Sequence, residues 1–169
     1  KESMSGITRL EKLLFLLEKE TKFEGVIDFF HFEPHNFGPF SKDVYEAVEF
    51  LESCELIAIR EKSYSSLYAN TDEAKLLSEI SETEISQELG QEDVQVSERL
   101  FCLTENGRKV ATELRRLISA RRPSDITELE GIVLRYGNRP LNHLIRYVYR
   151  RYPDMAVKSI HPEAQRIPH

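Results

Sequence analysis

The stretch from Gly6 to Thr21 leaves the chain little freedom. Ile7, Leu10, Leu14 and Leu17 recur at helical spacing, and Leu13, Phe15 and Leu16 widen the stripe until it nearly encircles the helix. A helix apolar on most of its circumference has no stable place on a surface, so the pattern predicts a central core helix. With 169 residues, the chain is long enough to bury such an element within one domain, and residues 1–169 are read as one unit. The longest apolar run, Leu13 to Leu17, is far too short to cross a membrane, and no signal peptide is visible in Lys1 to Glu11. Cys54 and Cys102 lie in apolar patterns without CxxC spacing, which predicts buried free thiols in a reducing cytoplasm.

Phe23 to Phe32 has no clean period and reads equally as a short helix or an extended stretch. Asn36, Gly38 and Pro39 mark a turn, because Pro fixes its own φ and drives the preceding residue from the helical region. Ser41 is the expected N-cap of a helix ending near Ser53, with Val44, Ala47, Val48 and Leu51 as its buried stripe and Asp43, Glu46, Glu49 and Glu52 outward. Leu56 to Arg60 and Ser66 to Ala69 suggest a hairpin around the polar tip Glu61 to Ser65, and Leu100 to Leu103 offers a third strand. Between them, Thr71 to Glu98 reads as an acidic insertion of one or two amphipathic helices ending at Gly90. Thr104 opens a helix to about Ala120, with Val110, Leu114, Leu117 and Ile118 on its buried side, and Pro123 stops it. Further helices follow within residues 124–152, the first with the stripe Ile126, Leu129, Val133 and Tyr136 and a left-handed stop at Gly137, the second opened by Pro140.

Charge divides the chain. Residues 1–100 hold 10 Lys and Arg against 22 Asp and Glu, a net of −12, whereas residues 101–169 hold 13 against 7, a net of +6. Opposite electrostatic surfaces on one chain also permit self-association, so a homodimer enters the expectations. On a helical projection Arg139, His143, Arg146 and Arg150 align opposite Leu141, Leu144, Ile145, Val148 and Tyr152. Arg108, Arg115 and Arg122 align in the same way, flanked by Lys109 and Arg116. Guanidinium forks suit phosphates, and Tyr147 and Tyr149 lie near enough in sequence to stack on bases, so these arginines are candidates for an anionic or nucleic-acid partner. The same stripes would equally serve to solvate a helix face or to pair with acids of the same chain.

His31, Glu33 and His35 alternate as metal ligands on a strand would, but no fourth ligand stands nearby. Nucleophile-elbow, phosphate-loop, HExxH and dinucleotide glycine patterns are missing from the sequence, and no motif calls for a cofactor. The expectation is a protein that acts without catalysis.

Helix, turn, helix, two-stranded hairpin, strand and helix is the order of a winged-helix domain. "LFCLTENGRKVATEL", Leu100 to Leu114, resembles the strand-into-helix ending of winged-helix regulators, where an "LTxxG" turn follows the third strand. "ITRLEKLLFLLEKE" followed by "FEPHNFGPFSKDVYEAVEFLESCELI" resembles the opening of YwgA-type proteins of bacteria and archaea, and "RPLNHLIRYVYRRYPDMAVKS" resembles their C-terminus. More distantly, the Panacea or SocA-like antitoxin domain has a comparable "KLLY" helix, "GP" corner and following helix. The resemblance covers most of the chain apart from the acidic insertion at 71–98. It implies an α+β, mostly helical winged-helix-type domain with a small antiparallel sheet and extra C-terminal helices at 124–152. It also implies a regulatory or adaptor role in toxin neutralisation or phage defence.

Under that reading Phe37, Phe40, Asp43, Glu46 and Glu49 meet a protein partner. The helix from Ser41 to Ser53 is too acidic to be inserted between phosphates. The alternative is a transcriptional regulator that binds nucleic acid through Arg108, Arg115, Arg116, Arg122, Arg139, Arg146 and Arg150.

Overall fold

The computed structural model describes residues 3–23, 30–64 and 96–166. The architecture is α+β and mostly helical. In chain order it comprises β1 (Ser3–Ser5), α1 (Ile7–Glu20), β2 (Glu33–His35), β3 (Gly38–Phe40), α2 (Lys42–Ser53), β4 (Ile57–Tyr64), β5 (Val96–Leu103), α3 (Glu105–Arg121), α4 (Pro123–Tyr136) and α5 (Leu141–Arg151). Two 3-10 turns, Pro153–Ala156 and Ala164–Arg166, follow. One antiparallel sheet has the order β1-β5-β4, and β2 and β3 form a small separate hairpin.

The core forms around α1. Leu13, Phe15 and Leu16 pack with Ile132 and Tyr136 of α4 and with Leu141, Leu144, Ile145, Val148 and Tyr149 of α5. Phe15 meets the rings of Phe32 and Tyr152 edge-on at 5.4 and 5.0 Å. The helix is so enclosed that Arg9, Glu11, Lys12 and Glu18 are buried as well. Each buried charge must then find partners inside the protein, and those partners fix the neighbouring elements.

Several local expectations meet a different outcome. Glu61 to Tyr64 continue β4 instead of forming a tip, because β4 pairs with β5 along its whole length, from Ile57 opposite Leu103 to Tyr64 opposite Val96. Glu61 thereby stands opposite Arg99, a favourable cross-strand register. Ser66 to Ala69 and most of the acidic insertion, through residue 95, lie outside the described residues; Val96 to Glu98 belong to β5. Gly137 has φ −64 and is therefore not a left-handed stop. Cys54 is exposed and Cys102 half-buried, since Cys54 falls at the open C-terminus of α2.

The largest correction concerns α3. Thr104 caps it as expected, its hydroxyl accepting from the Gly107 N–H at 3.0 Å. The stripe Val110, Leu114, Leu117 and Ile118 is nevertheless 38% to 52% exposed, and Gly107 alone in this helix is buried. The helix leaves the sheet at β5 and packs along α4, so its apolar side is left uncovered, with Leu117 and Ile118 lining an open cleft. Leu129 and Val133 of α4 are similarly exposed, at 42% and 49%.

The start of α3 is held against the α2–β4 turn by three bonds. The Thr104 N–H donates to the Leu56 carbonyl at 3.1 Å, and its hydroxyl donates to the carbonyls of Glu55 at 2.6 Å and Leu56 at 3.2 Å. Gly107 permits this approach, since a Cβ there would stand 1.8 Å from the Leu56 oxygen. Gly107→Ala is expected to destabilise the fold by about 3 kcal/mol through this clash. Urea denaturation of the variant beside wild type measures it.

Candidate functional site

The turn Asn36–Phe37 and strand β3 form a corner on which four parts of the chain converge. From α1, the Lys12 ammonium donates to the Pro39 carbonyl at 2.8 Å and lies 3.7 Å from the Glu11 carboxylate. Glu11 in turn accepts from the Ser41 N–H at 3.2 Å, and the Ser41 hydroxyl caps α2 by accepting from Val44. From α5, Tyr149 presses on Gly38, whose φ of +91 and Cβ position 2.7 Å from the ring suit only glycine. After α5, Ser159 and the Ile160 N–H both donate to the Asn36 carbonyl at 3.0 Å, and Ser159 also bonds the Tyr149 hydroxyl at 2.5 Å.

The corner phenylalanines are largely used in this packing. Phe37 is half-buried against the core and edge-on to His161 at 6.4 Å, while Phe40 stacks between His35 at 4.8 Å and Tyr45 at 5.4 Å. His31 pairs with Asp43 at 2.7 Å, and His35 is taken up by Phe40.

Helix α2 carries its charge outward from this corner. Glu46, Glu49 and Glu52 are exposed and Asp43 is half-buried, with Lys42 paired to Glu46 at 2.7 Å. Among these acids Phe50 stands 65% exposed. Residues three and four apart share a helix face, so Glu46, Glu49 and Phe50 form one patch. No sequence motif singles out Phe50. Its signal was angular: position 50 lies well off the stripe set by Val44 and Val48, both buried.

The candidate arginines do not form one free surface. Arg108 lies 3.6 Å from Glu105, Arg115 pairs with Glu130 of α4, and Arg116 forms a fork with Glu113 at 2.9 and 2.6 Å. Arg122 meets Asp125 at 2.6 Å, and Lys22 reaches the same carboxylate at 2.5 Å, holding it below the usual range. Arg139 donates to the Arg135 carbonyl at 3.0 Å and lies over the Tyr136 ring. Arg146 makes a bidentate pair with Glu163 at 2.8 and 2.6 Å. Arg150 is exposed and has no ion pair among the described residues.

The tyrosines expected to stack on bases are committed elsewhere. Tyr149 is fully buried, and the hydroxyls of Tyr147 and Tyr136 both donate to Glu20, at 2.5 and 2.7 Å. Burial, reinforced by the Glu20 carboxylate, pushes the Tyr147 hydroxyl well up. A groove of about 1030 Å³ also opens between the three-stranded sheet, α1, α2 and the α4–α5 turn, with mainly apolar walls such as Leu10, Val48 and Phe101 and with Arg9 and Arg139 at one side. No group of His, Cys, Asp and Glu able to hold a metal is found among the described residues.

Comparison with family models, curated proteins and solved structures finds no match to this chain.

The buried pair at the corner makes stability depend on pH. Desolvation lowers Lys12 from 10.5 to about 8, against the opposing pull of Glu11, and burial raises Glu11 above the usual carboxyl range. Between about pH 8 and 10 the unfolded chain keeps the lysine proton while the folded chain has released it, so stability rises with pH, by roughly 2–3 kcal/mol. Above pH 10 it falls, because burial pushes Tyr45 and Tyr149 up to about 12 and only the unfolded chain ionises them. The raised Glu11 acts at the acid end, its contribution falling as pH rises above 4.5. Urea midpoints across this range are expected to climb from pH 8 to 10 in wild type and to stay level in Glu11→Gln/Lys12→Met.

Proposed function

We propose that this chain is a non-catalytic regulatory or adaptor protein that grips a basic protein partner through the outer face of α2. The observation that carries the proposal is the patch of Glu46, Glu49 and Phe50, in which an exposed aromatic ring stands among exposed carboxylates, Glu46 being paired to Lys42. An aromatic anchor supplies buried area, and the surrounding acids select for lysine and arginine while repelling phosphates. The corner of Asn36 to Ser41 supports this role by holding α2 rigid through Lys12 and Glu11. In this reading the domain is of winged-helix type, the partner is a toxin or defence effector as the sequence resemblance implies, and the complex is cytoplasmic. No helix among the described residues is long and apolar enough to cross a membrane.

Nucleic-acid binding through the arginine faces has less support. Arg108, Arg115, Arg116, Arg122 and Arg146 already face carboxylates of the same chain, and phosphates would have to compete with them. Of the seven candidates, Arg139 and Arg150 are exposed with no ion pair among the described residues, and Arg139 is engaged by the Arg135 carbonyl and the Tyr136 ring.

Tagged wild type and Glu46→Lys/Glu49→Lys/Phe50→Ser should be isolated in parallel from native lysate with nuclease treatment. Wild type is expected to retain a basic protein in stoichiometric amount, and the variant to bind that purified protein at least about 30-fold more weakly. Equal retention by both chains removes α2 from the account. Micromolar, salt-sensitive binding to mixed DNA and RNA that Arg150→Glu abolishes would transfer support to the nucleic-acid reading.

A further inference from the structure

We infer that the exposed face of the α3–α4 hairpin is the interface of a symmetric homodimer, in which two hairpins close into a four-helix bundle. Val110, Leu114 and Ile118 on α3 and Leu129 and Val133 on α4 are 38% to 52% exposed, whereas Leu141, Leu144, Ile145, Val148 and Tyr149 of α5 are buried. Ile118 and Leu129 line one cleft of about 410 Å³, which joins the C-terminal part of the α3 row to α4.

Three observations favour a second copy as the occupant. The first is pattern. Val110, Leu114 and Ile118 follow one another at intervals of four, so the row is symmetric about Leu114. An antiparallel copy of α3 sets Leu114 against Leu114 and Val110 against Ile118, the self-matching that a two-fold interface demands. The second is size. A 17-residue helix is about 25 Å long, and two helices side by side are about 20 Å wide. The resulting footprint, once corrugated by side chains, approaches the ~800 Å² per partner typical of stable complexes.

The third is charge. Residues 105–136 hold seven Lys and Arg against five Asp and Glu. Three of the flanking cations are matched within the chain, Arg115 with Glu130, Arg116 with Glu113 and Arg122 with Asp125, while Arg121 at the end of the row has no ion pair among the described residues. A face carrying many unpaired arginines would repel its own copy, whereas one whose cations are mostly paired, with Arg121 at its end, can approach it and close over the apolar row.

Sedimentation equilibrium of the full chain at ~10 µM, where a micromolar dimer is mostly assembled, is expected to give twice the 19.7 kDa chain mass. Leu114→Glu places two carboxylates on the dyad and should weaken association at least about 100-fold while leaving the helical circular dichroism intact. A second variant does not depend on that substitution folding: Leu114→Cys in a Cys54→Ser/Cys102→Ser background is expected to oxidise to a disulfide-linked dimer. A monomeric wild type, a dimer indifferent to Leu114→Glu, or a dimer that forms no disulfide through position 114 each overturns the inference. In those cases the face belongs to another occupant or to none.

Discussion

Enclosure of α1 forces the rest of the structure. A helix wrapped on all sides has to bury Glu11 and Lys12 along with its leucines, and neither charge tolerates burial without partners. Lys12 finds the Pro39 carbonyl and Glu11 the Ser41 N–H, so the cost of desolvation is offset by bonds that reach across to the corner and to the first turn of α2. The same corner is pressed from the other side by Tyr149 and tied to the C-terminal segment through Ser159. Two adjacent buried charges thus set the direction of α2, and with it the direction in which its acids point.

The two halves of the charge distribution are used differently. Acids on α2 look outward and, among the described residues, form ion pairs as Glu46 with Lys42 and Asp43 with His31, whereas the basic half is largely consumed within its own helices. Net charge therefore overstates the basic surface presented to a partner. The fork between Arg146 and Glu163 shows why: the pair fastens the tail that crosses the corner, a structural task that a phosphate would interrupt. The proposed protein contacts would use these surfaces separately, the outer face of α2 for a foreign partner and the α3–α4 face for the chain's own copy.

Much of the fold was legible from the sequence, and so was part of the candidate site. The α+β class, the encircled core helix, the caps at Ser41 and Thr104 and the breaks at Pro123 and Pro140 all follow from local chemistry, because capping and proline geometry act within a few residues. The outward acids of α2 were equally readable from helical spacing. Periodicity could not say whether an apolar stripe has anything to face. The α3 stripe of Val110, Leu114, Leu117 and Ile118 looks in sequence like that of α5, yet the latter is buried and the former is open.

Sequence by itself determined which segments are helices, where they start and which side of each is apolar, since these depend on neighbours one to four residues apart. Tertiary structure alone decided which stripes are covered, that Glu61 to Tyr64 extend a strand, and that most candidate arginines are matched by carboxylates. Pairs such as Arg115 with Glu130, Arg146 with Glu163 and Lys12 with the Pro39 carbonyl join residues 15 to 27 positions apart. Such distances in sequence carry no periodic signal, and only the packing of one element on another brings the groups together.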